Sequence, residues 1–351
     1  MLLRYLLPAT LIICMPGRTA AQDGLLDNSF NGTGKVIYDG GVYEDGEDIA
    51  VRPDGKLWVL AARVDTIETI LLMRYNADGS LDNSFSGDGV EEFSEGTGNT
   101  FGACLLLQPD GKLLIGGSYD DFYTHALVLR VDENGVLDPT FGTGGVLMST
   151  GNTQETRVGR MGRQSDGTIV YVGNATYQVI PVVGSFSGTG QFDPFHEFFL
   201  CNDDDHFTSL CVTPDDRVFV TGYHWVDTLG FNYEALLLAL RPDLTGDTTF
   251  SIGYICGQLD SYTPGIQYYN TGLPNYQTYD AGYDVVATPD GHLIMAGGNG
   301  HSRIELLMVD THSAPDSIGF SNGLVVTPIA EVGSRIALHP DGKIIVAGWT
   351  Y

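Results

Sequence analysis

Two phrases recur along this chain at a spacing of fifty-odd residues, and that period limits the possible folds more than any other feature. One is Leu-Asp-x-x-Phe, whose Asp-to-Phe part stands at 27–30, 82–85, 138–141 and 247–250, with worn copies beginning at Asp193 and Asp316. The other is Pro-Asp-Gly, at Pro53-Asp54-Gly55, Pro109-Asp110-Gly111, Ser165-Asp166-Gly167, Pro214-Asp215-Asp216, Pro289-Asp290-Gly291 and Pro340-Asp341-Gly342. Units therefore start near 27, 82, 138, 193, 247 and 316. A unit of this length cannot bury its own apolar face, so neighbouring copies must stack as a propeller, solenoid or array.

The first residues read as an export signal spanning 1–21. Arg4 is the only early charge, Leu6 to Met15 is apolar, and Thr19-Ala20-Ala21 precede Gln22 as a small-residue cleavage site. The apolar run is too short for a membrane span and carries Pro8. Export places the mature domain, 22–351, outside the cell, on the outer surface or in the periplasm. Lys and Arg number 17 against 44 Asp and Glu, a net charge of −27. That balance argues against nucleic acid as a partner, because phosphate binding needs cations from the protein; solubility accounts for it without any binding role.

Within a unit, short runs of Val, Ile, Leu and aromatics separated by Gly, Asp and Pro read as strands. Unit one gives strand a over Lys35 to Tyr38, b over Asp48 to Arg52, c over Lys56 to Ala62 and d over Thr69 to Asn76. Strands c and d are apolar at consecutive positions, as in Leu57-Trp58-Val59-Leu60, so both faces must be covered. Four strands per unit with two buried faces is the blade pattern. The expected fold is all-β: a six-bladed β-propeller of four-stranded antiparallel blades, whose last blade lacks one strand because the sequence stops at Tyr351 in strand c.

Asp-Gly supplies the positive φ of a tight b–c hairpin. The Leu-Asp-x-x-Phe phrase joins d to the next a, its Leu and Phe plugging the core. Arg74 and Arg130 lie eight residues before Asp82 and Asp138, which predicts an Arg–Asp pair at the blade junction. Alternating strands put the b–c and d–a turns at one end and the a–b and c–d loops at the other. Units measured at Pro-Asp-Gly are 56, 56, 49, 75 and 51 residues long, and the variation falls on the second end, where binding is expected.

At that end, Tyr223, His224, Trp225, Phe231 and Tyr233 share one loop, and the long stretch from Tyr254 to Tyr283 holds Tyr262, Tyr268, Tyr269 and Tyr276. Polar-tipped aromatics give large contact area at low entropic cost, which suits a glycan or protein ligand. The competing reading has the insertion folding back over its own blade. Asp203, Asp204 and Asp205 offer hard oxygens that would suit calcium, although the spacing of a wrapping loop is missing and a solvated acidic turn is the commoner outcome. Cys201 and Cys211 flank that loop as disulfide candidates, with Cys256 a rival partner and Cys104 a buried thiol. No catalytic or cofactor motif is present, so no catalytic residue and no cofactor is expected.

The units resemble the delta-60 repeat family. The likeness is carried by Leu107-Gln108-Pro109-Asp110-Gly111-Lys112-Leu113-Leu114-Ile115-Gly116-Gly117, by Leu129-Arg130-Val131-Asp132, and by Gly135-Val136-Leu137-Asp138-Pro139-Thr140-Phe141-Gly142. It implies an exported bacterial β-propeller-like repeat protein, and the family supplies no catalytic residues to transfer. Asp216 in place of the turn Gly, and the displaced Phe320, depart from the pattern in units four and six. The expected function is non-catalytic binding of a glycan or protein at the variable-loop face. The alternatives are a hydrolase or lyase with carboxylates at the channel mouth, and a structural spacer in a longer surface protein.

Overall fold

The computed structural model describes residues 26–149, 157–175, 180–193, 196–197, 205–227, 231–250, 266–269, 280–299, 303–311, 324–330 and 332–349. These residues form six antiparallel sheets, and each four-stranded sheet is a simple meander. Sheet 1 holds β1 (Tyr43–Val51), β2 (Leu57–Val64), β3 (Glu68–Tyr75) and β4 (Val90–Phe93). Sheet 2 holds β5 (Asn99–Leu107), β6 (Leu113–Asp120), β7 (Thr124–Val131) and β8 (Val146–Met148). Sheet 3 holds β9 (Arg160–Arg163), β10 (Ile169–Ala175), β11 (Ile180–Phe186) and β12 (His196–Glu197). Sheet 4 holds β13 (His206–Val212), β14 (Val218–Asp227), β15 (Phe231–Leu240) and β16 (Ile266–Tyr269). Sheet 5 holds β17 (Ala281–Ala287), β18 (His292–Asn299), β19 (Arg303–Asp310) and β20 (Leu324–Ala330), and sheet 6 holds β21 (Val332–Leu338) and β22 (Ile344–Trp349). No helix of the described residues is long and apolar enough to cross a membrane.

The grouping of strands corrects one expectation. Residues 35–38 form no strand, and the segment in the same place of the next unit, β4, pairs with β3 of the preceding one. Each sheet is therefore b, c, d and the following a, and the Leu-Asp-x-x-Phe phrase is a turn inside a sheet rather than a link between sheets. The first strands of successive sheets touch one another, β1 with β5, β5 with β9, β9 with β13, β13 with β17 and β17 with β21. These six line the inside of the arrangement.

Successive sheets stack face to face, as the unbroken apolar runs of strands c and d require. Trp58, Leu60, Leu72 and Phe85 of sheet 1 meet Leu113, Ile115 and Leu129 of sheet 2. Val170, Val172 and Val183 of sheet 3 meet Val218, Leu236 and Leu238 of sheet 4, and equivalent layers join the other neighbours. Each such side chain contributes about 1.5–3 kcal/mol when fully buried, so stacking is the main source of stability. Among the described residues the sheets do not close into a ring by strand pairing. The outward face of sheet 1, with Ala61, Leu71 and Met73, is partly covered by Val36 and Tyr38.

Sheets 1, 2 and 4 are fastened at one end by the same turn. Asp82 closes a short Asx turn by accepting the backbone N–H of Ser84 (3.1 Å) and its hydroxyl (2.7 Å). Asp138 and Asp247 do the same with Thr140 and Thr249, which explains a hydroxyl residue at the second position after each Asp. The turn aims Phe85 and Phe141 inward, both fully buried, and Phe250 with them. Gly135 of the next sheet makes room for Phe85, since a Cβ there would lie 2.6 Å from its ring.

The second carboxylate oxygen of Asp82 takes Arg74 Nε at 2.6 Å and Lys56 Nζ at 2.7 Å, as the eight-residue spacing predicts for the arginine. Asp138 is held by Arg130 and Lys112 in the same geometry, both at 2.8 Å or less. Because Lys56 and Lys112 directly follow Pro-Asp-Gly, the pair locks the two repeated phrases together. Each arginine also donates to a backbone carbonyl of the next sheet, Arg74 to Glu133 and Arg130 to Gly188, both at 2.5 Å. Sheet 4 reaches the same end with Arg217 donating to Thr311 and lying 3.5 Å from Asp247. Asp216, standing where the turn Gly is expected, adopts φ 62 and receives the Ser165 N–H of sheet 3 at 2.6 Å, so the departure keeps the turn and adds a link.

Burial alone would push the Asp82 and Asp138 carboxyls up, but hydrogen bonds from lysine, the turn hydroxyl and backbone, and arginine outweigh it and hold both well below the usual carboxylate range. Their contribution is present above the unfolded carboxyl value of about 4 and is lost as pH falls toward the folded value. Asp82→Ala strands two cations at a buried site and is expected to cost about 3–5 kcal/mol at pH 7. The check is thermal unfolding against pH, where the gap between wild type and variant should narrow below about pH 4. A gap that stays constant through that range would assign the loss to packing instead.

Candidate functional site

The inner strands carry an irregularity that recurs with the repeat. The register shifts between Gly46 and Asp48 in β1, Gly102 and Cys104 in β5, Phe207 and Ser209 in β13, Gly282 and Asp284 in β17, and Gly333 and Arg335 in β21. A β-bulge re-aims the side chains that follow it. It also crowds the second strand, where a Cβ on Gly117 would lie 1.8 Å from the Phe101 carbonyl oxygen and one on Gly222 1.9 Å from that of His206. The glycine late in β6, β14 and β18 thus fits the bulge beside it, while β2 carries Ala61 at the matching position.

The residue after each bulge stands five positions before the first residue of the Pro-Asp-Gly phrase, and with the matching position of β9 these are, in chain order, Asp48, Cys104, Arg160, Ser209, Asp284 and Arg335. Five of the six line a central cavity of about 700 Å³, together with Glu47, Leu105 and Met161. Cys104 is buried between sheets 2 and 3 instead.

The ring is polar and partly self-paired. Asp48 accepts Arg160 Nη1 at 2.9 Å and the Leu105 N–H at 2.8 Å, capping an inner-edge donor of sheet 2. Asp284 accepts the Ser209 hydroxyl at 2.5 Å and the Ile336 N–H at 2.9 Å, the matching donor of sheet 6. Both aspartates are struts between neighbouring sheets, Asp284 using both of its oxygens and Asp48 only Oδ2. Burial first, then the charges of Asp45 and Glu68, pushes the Glu47 carboxyl up. Among the described residues, the Arg335 side chain makes a single hydrogen bond, to the Ser334 carbonyl at 3.0 Å. Burial and the nearby charge of Arg160 pull its guanidinium down from its ordinary value.

The residues singled out in the sequence are only partly gathered. Tyr223 packs on His206 (ring centroids 4.8 Å) and edge-on against Tyr233 (5.2 Å), a half-buried aromatic group at the variable end of sheet 4. His224 is buried, its Nδ1 2.8 Å from a carboxylate oxygen of the fully buried Asp205. Tyr269 lies on β16 and packs into the layer between sheets 4 and 5, and burial raises its phenol. The stretch read as one long loop therefore contains the fourth strand of sheet 4. Trp225, Phe231 and Tyr268 have strand backbone on β14, β15 and β16. Tyr262, Tyr276, Asp203, Asp204, Cys201 and Cys256 lie outside the described residues, among which Cys211 and Cys104 are free thiols. Among the described residues no three His, Cys, Asp or Glu side chains gather to hold a metal ion.

The channel ring was missed at the sequence level, although its signal is simple: it is the fifth residue before each Pro-Asp-Gly. Repeats are found by what stays constant, and this position varies from copy to copy.

A family model described as a β-propeller domain of unknown function (DUF5122) matches residues 52–85, 108–141 and 339–351. With the stacked antiparallel sheets, it defines the class as an all-β protein of β-propeller fold. No curated protein matches the sequence. Among solved structures, a gluconolactonase from Xanthomonas campestris is 11% identical over 89% of this chain and 84% of its own, with a TM-score of 0.42. A putative oxidoreductase (glucose dehydrogenase) from Thermus thermophilus is 12% identical over 88% and 91%, with a TM-score of 0.46. A family PL25 ulvan lyase is 9% identical over 86% and 75%, also at 0.46. At this identity and overlap they carry no argument about activity.

Burial pushes the Cys104 thiol up to about 12. Thiolate, not thiol, reacts, so Cys104 is expected to resist alkylation in the native protein at pH 8 and to react on unfolding. Mass spectrometry after iodoacetamide treatment reads this directly; prompt native labelling at Cys104 would contradict the packing described.

Proposed function

We propose that the protein is an exported, non-catalytic binding propeller of the delta-60 repeat type, taking a glycan or extracellular protein at its variable-loop end. The observation that carries this reading is the aromatic group of Tyr223, Tyr233 and His206 on sheet 4. Half-buried rings with polar tips, fixed by packing on one another, offer a stacking surface already ordered before the ligand arrives. Export, to the outer surface, the extracellular space or the periplasm, rests on the leader-like segment 1–21.

The alternative, a hydrolase or lyase, is favoured by the carboxylates of Glu47, Asp48 and Asp284 on one cavity. Two of the three are tied to backbone donors of the neighbouring sheets, which suits a structural role better than proton transfer. The balance supports binding.

Replacing Tyr223 and Tyr233 together with Ala is expected to weaken retention on a glycan or cell-surface protein array roughly tenfold or more. Circular dichroism and melting of the variant show whether the sheets persist. Undiminished retention by a folded variant would reject this face as the binding site.

A further inference from the structure

The two guanidinium groups that line the channel differ in one respect. Arg160 is paired with Asp48 at 2.9 Å, whereas Arg335 makes no ion pair among the described residues and uses one of its donors on the Ser334 carbonyl. A guanidinium has five N–H donors in a planar fork that matches a carboxylate. Arg335 is exposed and lines a cavity of about 700 Å³, large enough for a sugar-sized molecule.

From this geometry we propose that the channel is a second binding site, independent of the sheet 4 aromatic group, for a small hydroxylated monocarboxylate whose carboxylate engages Arg335. Arg160 disfavours the charge on Arg335, an effect that Asp284 and Asp48 oppose without forming an ion pair with it, and a carboxylate on the guanidinium would add to that compensation. Asp48, Asp284 and Glu47 on the same walls limit the ligand to a single negative charge, since a dianion such as phosphate would meet three carboxylates. Glu47, the second oxygen of Asp48 and the Ser209 hydroxyl are acceptors for ligand hydroxyl groups. In a chain of net charge −27, a guanidinium without an ion pair inside the channel is a local exception that a neutral sugar would not use.

The test compares glucuronate with glucose, which share a ring and differ in the carboxylate, by saturation-transfer NMR and calorimetry on the full chain. Glucuronate is expected to bind saturably and glucose roughly tenfold more weakly or worse. Arg335→Ala and the size-preserving Arg335→Gln should each lose roughly tenfold in affinity for glucuronate with melting unchanged. Lys343→Ala removes a cation that pairs with Asp341 on the exposed turn, and should leave binding as it is. Absent saturable binding, equal binding of glucose, undiminished binding by both Arg335 variants, or an equal loss in Lys343→Ala would each overturn the proposal. Loss of binding at the Tyr223 and Tyr233 site would leave these measurements unaltered, so the two readings fail separately.

Discussion

At sheets 1 and 2 a carboxylate stands between two cations at the constant end and sets how each sheet meets the next. Asp82 shapes its own turn with one oxygen and gathers Arg74 and Lys56 with the other, and Arg74 continues to the carbonyl of Glu133 on the next sheet. One side chain thus fixes the turn between the third and fourth strands, ties it to the turn between the first and second, and sets the spacing to the neighbour. A buried ion pair is weak evidence for net stability, because desolvation offsets much of the attraction. Its contribution here is better understood as register: apolar stacking supplies the energy, and the Asp–Arg–Lys group decides how one sheet sits on the next.

Sheet 3 shows what happens when the cations are absent. Asp193 keeps the backbone bond of its N–H to the Ser185 carbonyl at 3.0 Å, matching 2.8 Å for Asp82 with Arg74, but among the described residues its carboxylate meets only the Ser185 hydroxyl. The backbone link is retained without the cations. Hydrogen-bonded backbone geometry is therefore the shared element of the repeat, and the ion pair is reinforcement at sheets 1 and 2.

What the sequence made legible follows from how local each signal is. The Pro-Asp-Gly turns, the inward Phe85 and Phe141, and the Arg74–Asp82 spacing all rest on interactions within a dozen residues, and such patterns survive in the residues themselves. The placement of strand a did not, because Val90–Phe93 reads alike whichever sheet it joins; only pairing with β3 decides it. The aromatic residues near sheet 4 divide similarly, with Tyr223 and Tyr233 brought together and Tyr269 drawn into the packing between sheets. Composition alone cannot tell a surface ring from a core one.

The bulge before each inner-strand residue has a broader consequence. The residue behind it can be Asp, Cys, Arg or Ser while the turn that follows keeps its shape. Five of the six inner strands contribute that residue to a common cavity. A scaffold of this kind can acquire a different interior specificity by single-residue exchange where the residue bonds no other sheet, as at Arg335, whereas exchange at Asp48 or Asp284 also removes a link between sheets.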